Sequence, residues 1–444
     1  MTIWERWHAH THGGAHVPHY KNTAESETVV MDPPEKILLA MSQHIGAPCM
    51  PTVKVGDTVE VGQIVGDSGQ AVSAPIHSGV SGKVTGMPTL MLPGGRTTQA
   101  LEITSDGEQR LHESVQPPVV NNREDFLKAV RQSGLVGLGG AGFPAHIKLN
   151  PPNIDEVDTL IINAAECEPF ITADYRECME NSWDIVSGVQ TVMEFLAVRQ
   201  VIIAIERNKP AAIKELSQIA ASVSKPGREV RVKALPARYP QGAEKVLIAT
   251  CTGRRVPPGK LPADVGCVVM NVTSIAVLSR YLKTGMPLLQ KRLTVDGSAI
   301  AHPQNVLVTI GTPIKDVIAF CGGYQGTPGK LLMGGPMMGL ALMDDELPVL
   351  KQNNAILAFS QEDAAVDPIT PCIRCGRCVA ACPMQLMPTD IARAYSAKDV
   401  DAMKRLDVAT CMECGSCAYS CPAHRPIVQT MRMAKEAVRQ ASIK

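Results

Sequence analysis

The sequence predicts a multidomain chain of α/β and β character that ends in a small helical domain rich in cysteine. Three observations carry this. Two cysteine runs of identical spacing stand near the C-terminus: Cys372, Cys375, Cys378, Cys382 and Cys411, Cys414, Cys417, Cys421. A central stretch alternates strand-like and helix-like patterns, as an α/β layer does. Two further stretches are short β-runs punctuated by glycine. A length of 444 residues with 45% hydrophobic content suits several packed cores. Lys+Arg and Asp+Glu both number 43, so no global field selects nucleic acid.

The N-terminal arm, residues 1–33, carries His8, His10, His12, His16 and His19. The His-x-His alternation invites a metal reading, but it lacks the supporting carboxylates and spaced ligands of a typical site, so a structural or incidental role is expected. Trp4 and Trp7 are expected to pack. Residues 34–115 hold alternating runs such as Val53–Asp57, Val59–Gln63 and Gly79–Val84, with Gly-Asp and Ser-Gly turns that read as hairpins. This stretch resembles the biotinyl/lipoyl-type barrel-sandwich hybrid. Those domains carry a modified lysine at a hairpin tip. Here no lysine lies between Lys54 and Lys83, and the tip is Asp67-Ser68-Gly69, so no swinging arm is expected.

Residues 120–287 read as α/β. Asn122–Ser133 is an amphipathic helix stopped by Gly134. Thr159–Ile162, Gln200–Ile205 and Val230–Ala234 read as strands, with helices over Trp183–Phe195 and Ala211–Val223. Gly137–Gly142 matches G-x-G-x-x-G, yet a helix precedes it and Phe143-Pro144 follows. That is not the strand–turn–helix of an ordinary dinucleotide fold. The glycines still let backbone N–H groups approach a phosphate closely. Asn163–Pro169 follows a strand and carries Glu166 and Glu168, where a carboxylate can accept a ribose hydroxyl. Tyr239–Glu244 and Val268–Thr273 are weak motifs alone.

Residues 288–345 return to β character, residues 346–369 read as a connector, and residues 370–444 form the cysteine domain, with helices over Thr389–Tyr395 and Ile427–Ala441. Each cysteine run has the form C-x2-C-x2-C-x3-C-P, the two-cluster ferredoxin spacing. A zinc knuckle is the rival; two identical runs, each closed by proline, disfavour it. The x3 arm leads the fourth sulfur away from its own run. The expected sets are therefore Cys372, Cys375, Cys378 with Cys421, and Cys411, Cys414, Cys417 with Cys382. The other six of the 14 cysteines are scattered, as in a reducing compartment. No stretch reaches the roughly 18 apolar residues of a membrane span, and no signal peptide is visible. From Thr370 onward Lys and Arg number 11 against 6 Asp and Glu, read as ordinary surface.

In this order the weak motifs gain weight together. Gly137–Pro144, Asn163–Pro169, Tyr239–Glu244 and Val269–Ser274 resemble the flavin-binding core of the NADH-oxidising flavoprotein subunit of respiratory complex I. Ala165, Ala243 and Met270 stand where that family has Asp, Glu and Asn. A closer resemblance, over nearly the whole chain, is to the RnfC family of the Rnf electron-transport complex. It is carried by Gly13–Pro18, Ser42–Pro48, Ser73–Pro75, Ala165–Pro169, Tyr239–Lys245, Leu261–Gly266, Gly334–Gly339 and Pro371–Cys378.

The resemblance implies a barrel-sandwich hybrid, a Rossmann-like FMN-binding α/β domain, a β-grasp (SLBB) domain and an α-helical two-cluster ferredoxin domain. It implies FMN held by Gly137, Gly139, Gly140, Gly142, Phe143, Asn163, Tyr239, Gly242, Asn271 and Thr273. Lys148, Glu166, Glu168 and Glu244 would surround flavin and nicotinamide, with Lys148, Glu166 and Glu168 as the catalytic group. The cofactors implied are FMN and two [4Fe–4S] clusters, with NAD(H) as substrate. The function implied is that of an NADH-linked oxidoreductase component, peripheral on the cytoplasmic face of the membrane. Its partners would be the other subunits of an ion-translocating complex and, indirectly, ferredoxin. Two other readings stand beside it. One is a soluble reductase of related build, of the cobalamin reductase type or a partner of an amino-acid reductase. The other is an electron wire without a nucleotide site.

Overall fold

The computed structural model describes residues 13–442; His8, His10, His12, Trp4 and Trp7 lie outside the described residues. The glycine-punctuated hairpins pack as two small sheets. One runs Lys36–Ala40, Arg96–Ser105, Gly82–Gly86, Thr58–Val59, with Thr89–Leu92 hairpinned onto Arg96–Ser105. The other runs Met50–Pro51, Ile64–Asp67, Ile76–His77. Ile37, Leu39, Val59, Val65, Val84, Leu101 and Ile103 fill the space between them. The Asp67-Ser68 tip is pinned: Arg131 pairs with Asp67 at 2.7 Å and donates to the Ser68 carbonyl at 2.9 Å. A tip held by a helix of the next domain cannot swing, which agrees with its lack of lysine.

The α/β domain is a parallel sheet in the order Glu229–Leu235, Gln200–Glu206, Thr159–Ala164, Cys267–Asn271. Except for the edge strand Glu229–Leu235, which alternates charged and apolar residues, its strands are near-continuous apolar runs because both faces are covered. Leu160, Ile162, Val201, Ile203 and Val268 pack with helices Ser182–Leu196, Pro210–Val223 and Val272–Thr284. Ile161, Ile202, Ala204 and Val269 pack with Leu247 and Ile248 of helix Glu244–Thr252. Helix Arg123–Gln132 begins where the sequence placed it. Asn122 caps it by accepting from the Asp125 N–H at 3.0 Å, and Gly134 at φ +70° follows its end.

The next sheet runs Val29–Val30, Gln304–Thr309, Gln290–Asp296, Ala355–Ser360, Pro328–Met333, Leu340–Leu342. Residues 346–369, expected as a connector, thus supply the inner strand Ala355–Ser360. It lies parallel to Gln290–Asp296 and antiparallel to Pro328–Met333. Its run Ala-Ile-Leu-Ala-Phe is too short to tell strand from linker in the sequence, but Ala355–Ala358 are fully buried. The sheet is fastened to the α/β domain by Arg292, which donates to Glu177 at 3.1 Å and also pairs with Glu180.

In the cysteine domain, helices Pro388–Ser396 and Ile427–Ala441 pack through Ile391, Ala394, Met431 and Ala434. Short helices Arg377–Ala380 and Ser416–Tyr419 carry the third cysteine of each run, Cys378 and Cys417. Gly376 and Gly415 occupy left-handed conformations before them, at φ +75° and +82°. No helix among the described residues is long and apolar enough to cross a membrane.

Candidate functional site

The glycine loop is closed at its base. Gly137 donates to the Phe143 carbonyl at 2.9 Å and Ala145 to the Leu135 carbonyl at 3.1 Å. Leu138 donates to the Ser274 hydroxyl at 3.1 Å, which sets the loop beside the C-terminal end of strand Cys267–Asn271. There Asn271 caps helix Val272–Thr284 by accepting from the Ser274 N–H at 3.1 Å. A side chain on Gly139 would place its Cβ 2.4 Å from the Asn271 amide nitrogen. Gly140 faces open space, and Gly139, Gly140 and Ala141 are exposed. Gly142, at φ +70°, is held from the other side, where Ile45 donates to its carbonyl at 3.1 Å. An exposed glycine backbone beside a helix N-terminus at the carboxyl end of a parallel sheet fits a phosphate-bearing cofactor.

Asp174, which the sequence did not single out, lies at the centre of this site. It accepts from the Asn271 amide at 2.8 Å and from the Thr273 hydroxyl at 2.7 Å. Asn163 donates to the Gly242 carbonyl at 2.9 Å, and a Cβ on Gly242 would stand 2.3 Å from the Ala165 carbonyl. The two segments touch backbone to backbone there. Lys148 and Glu244 form an ion pair at 2.6 Å and are both part-exposed. Phe143 is half-buried.

Glu166 and Glu168 are engaged otherwise than expected. Glu166 caps helix Ala173–Glu180, accepting from the Asp174 N–H at 2.7 Å and the Tyr175 N–H at 3.3 Å. Burial pushes its carboxyl up to about 7, with Asp174 adding and Lys21 opposing. Glu168 accepts from the Met337 and Met338 N–H groups, each at 3.0 Å, and one of its oxygens lies 3.5 Å from the Tyr239 hydroxyl oxygen. Burial pushes it up to about 7 as well. Lys21 braces the segment between them, donating to the carbonyls of Glu166 at 2.9 Å, Glu168 at 2.8 Å and Ile171 at 2.5 Å. Lys209 is buried beside it, paired with Glu206 at 2.8 Å. Neither lysine carries a motif; only their burial exposes the role.

Tyr239 leads to the cysteine domain. Its hydroxyl donates to the Cys414 carbonyl at 2.6 Å, and its backbone pairs with Ala15. Gly14 in turn donates to the Ala381 carbonyl at 2.8 Å, next to Cys382. One cavity is lined by Cys382 together with Cys411, Cys414 and Cys417. Burial pushes the Cys417 thiol up to about 12, and the charges of Cys414, Cys411 and Cys382 add to it. Burial also raises Cys378, which feels Cys421 and Cys372. Thiols crowded in this way are poor thiolates unless a cationic centre sits among them, so the donor sets fit iron–sulfur cores. No three His, Cys, Asp or Glu side chains among the described residues converge on a single ion-sized point. A cubane needs no such convergence, because its thiolates stand apart around a four-iron core. Cys372 and Cys375 are exposed, whereas Cys414 and Cys417 are buried.

Fold and site together define a modular iron–sulfur flavoprotein. Family profiles match in chain order: the RnfC barrel sandwich hybrid domain over residues 9–108, the Nuo51 FMN-binding domain over 130–280, the SLBB domain over 292–341 and a 4Fe-4S dicluster domain over 371–424. The RnfC protein of the proton-translocating ferredoxin:NAD(+) oxidoreductase complex of Clostridium ljungdahlii is 44% identical over 97% of this chain and 94% of its own. Its counterpart in the Na(+)-translocating complex of Acetobacterium woodii is 42% identical over 96% of both chains. The chain belongs to this family, the RnfC proteins of ion-translocating ferredoxin:NAD oxidoreductase (Rnf) complexes. Among solved structures, the NAD+-reducing [NiFe]-hydrogenase in the air-oxidized state shares the fold. Its TM-score is 0.51 at 20% identity, over 71% of this chain and 63% of that one.

Proposed function

We propose that this chain is the NAD(H)-handling component of an ion-translocating ferredoxin:NAD oxidoreductase complex, peripheral on the cytoplasmic face. Its partners are the other subunits and, through them, ferredoxin. Bound FMN exchanges a hydride with NAD(H), and two [4Fe–4S] clusters carry electrons singly, so one chain converts pair transfer to single transfer.

The single observation that carries the reading is that the glycine-loop site and the cysteine domain meet through Tyr239 and Cys414. The exposed backbone of Gly139 and Gly140 and the N-terminus of helix Val272–Thr284 suit the phosphate. The Asp174 charge beside Asn271 and Thr273 suits sugar hydroxyls there, not a second phosphate. Lys148 and Glu244, part-exposed beside the loop, are the nicotinamide nucleotide contacts. Glu244 accepts a ribose 2′-hydroxyl and repels a 2′-phosphate, so NADH is preferred over NADPH. Glu166 and Glu168 act by holding the site's shape. Cys372, Cys375, Cys378 and Cys421 hold one cluster, and Cys411, Cys414, Cys417 and Cys382 the other. The cavity that Cys382 shares with the second run supports this.

The test is acid extraction of the purified protein followed by anaerobic titration with NADH. FMN should be released, and the bound flavin should bleach. Recovery of FAD alone, or of no flavin from reconstituted protein, would overturn the reading. A flavin that NADH leaves oxidised would favour the wire.

A further inference from the structure

The turn Gly335–Gly339 belongs to the β-grasp domain, yet it lies between the α/β domain and the second cysteine run. It closes on itself, with the Gly339 N–H donating to the Gly335 carbonyl at 2.8 Å. On one side both Glu168 oxygens grip it through the Met337 and Met338 N–H groups at 3.0 Å. On the other side Gly415 abuts it: a Cβ there would stand 3.0 Å from the Met337 carbonyl. Gly415 lies between Cys414 and Cys417 in the run, and Met337 packs with Tyr239, Cys414 and Cys167. The grip leaves no slack, since a Cβ on Gly335 would lie 2.2 Å from a Glu168 oxygen. A buried carboxylate spanning two adjacent N–H groups fixes a turn far better than surface contacts do.

We propose that Glu168 is a positioning residue acting through this turn. It seats the second cysteine run against the α/β domain, and so sets how readily electrons pass between the flavin and the cluster of Cys411, Cys414, Cys417 and Cys382. The inference rests on the function proposed above and adds a task for the β-grasp domain. It also gives a reason for the Gly334-Gly335-Pro336-Met337-Met338-Gly339 sequence: the first turn glycine admits the carboxylate and the two methionines supply the donors.

The test uses the full chain with flavin and clusters. Gly335→Ala attacks the grip from the turn, and the isosteric Glu168→Gln removes one acceptor. Hydrogen exchange read by mass spectrometry should show lost protection in the peptide containing Met337 and Met338, and in that containing Cys414–Cys417, in both variants. In Gly335→Ala, stopped-flow spectra should show flavin bleached by NADH at the wild-type rate. Cluster reduction should lag severalfold behind flavin bleaching, because electron transfer slows as the two centres move apart. Unchanged protection in Glu168→Gln would show that Glu168 does not hold the turn. Lost protection with clusters still reduced in step with flavin would show that the seat does not govern transfer. Wild-type protein whose flavin NADH never bleaches would instead overturn the functional reading itself.

Discussion

Tyr239 of the α/β domain donates its phenolic hydrogen to the backbone carbonyl of Cys414, a cysteine of the second run, at 2.6 Å. Both groups are buried, with Tyr239 2% and Cys414 7% exposed. This bond crosses between the two domains whose cofactors must communicate. Tyr239→Phe keeps the ring and leaves the carbonyl unpaired, which costs about 1–3 kcal/mol. Urea unfolding followed by circular dichroism should register that loss. An unchanged midpoint would mean that the bond contributes nothing.

Gly139 and Gly140 separate strain from ligand blocking. A Cβ on Gly139 meets the Asn271 amide, which caps a helix and bonds Asp174. Gly139→Ala should therefore lose flavin and also about 1 kcal/mol of cap stability. Gly140→Ala places its methyl in open space, so the protein should fold as before while flavin content falls. Full flavin content in Gly140→Ala would place the cofactor elsewhere.

Much of this site was legible in the sequence, and the reasons differ by residue. Glycine spacing marked the loop, because close backbone approach leaves few alternatives at Gly139. Cysteine spacing marked the C-terminal domain, because cluster ligation fixes it. The strand Ala355–Ser360 was hidden, since six residues carry too little period to separate a strand from a linker. Position alone did not reveal the partners of Glu166 and Glu168. Both follow a strand end, where carboxylates meet ligands, but their partners are N–H groups of residues 174, 175, 337 and 338. Asp174, Lys21 and Lys209 gave no signal, because a lone charged residue on a helix or arm reads as surface until burial is known.

Arg292 links the β-grasp sheet to helix Ala173–Glu180 and is 6% exposed, facing Glu177 at 2%. Arg292→Met removes the cation and leaves Glu177 with Arg280, at 2.8 Å, as its remaining partner. Breaking a buried pair from one side costs about 3–5 kcal/mol. Thermal unfolding should show that loss. A second change, Glu177→Leu, should recover part of it; failure to recover would point to lost packing and not to the stranded charge.

Lys351 gives the fold a pH signature. Its ammonium is buried and donates to the Pro75 carbonyl at 2.6 Å and the Gly134 carbonyl at 2.7 Å, tying barrel to glycine loop. Burial lowers it from its ordinary 10.5 to about 8, with Cys49 and Asp67 opposing. A depressed base favours folding above its unfolded value, and that contribution is lost as pH falls through the folded one. Between about 8 and 10.5 stability should thus rise with pH. Lys351→Met should flatten this slope in denaturant titrations run across the range. An equal slope in the variant would assign the dependence to another group.

The sharpest prediction concerns Cys421. The cavity beside the second run is lined by Cys411, Cys414, Cys417 and by Cys382 from the first run, without Cys421. Cys421 instead lies close enough to Cys378 to add to the rise that burial gives its thiol. The crossing follows from chain geometry. The first three sulfurs of a run wrap one core, and the chain turns directly after the fourth, with Gln385 donating to the Cys382 carbonyl and His424 to the Cys421 carbonyl, each at 3.1 Å. Helices Pro388–Ser396 and Ile427–Ala441 pack together and bring the runs side by side, so each fourth cysteine reaches the other core. Cys421→Ser should therefore disturb the cluster of Cys372, Cys375 and Cys378, which has the more exposed ligands. That site should lose about half the protein's iron or show an altered electron paramagnetic resonance signal, while the other keeps its spectrum. Cys382→Ser should do the reverse. If Cys421→Ser changed only the cluster of Cys411, Cys414 and Cys417, each run would hold its own core and the crossing would be wrong.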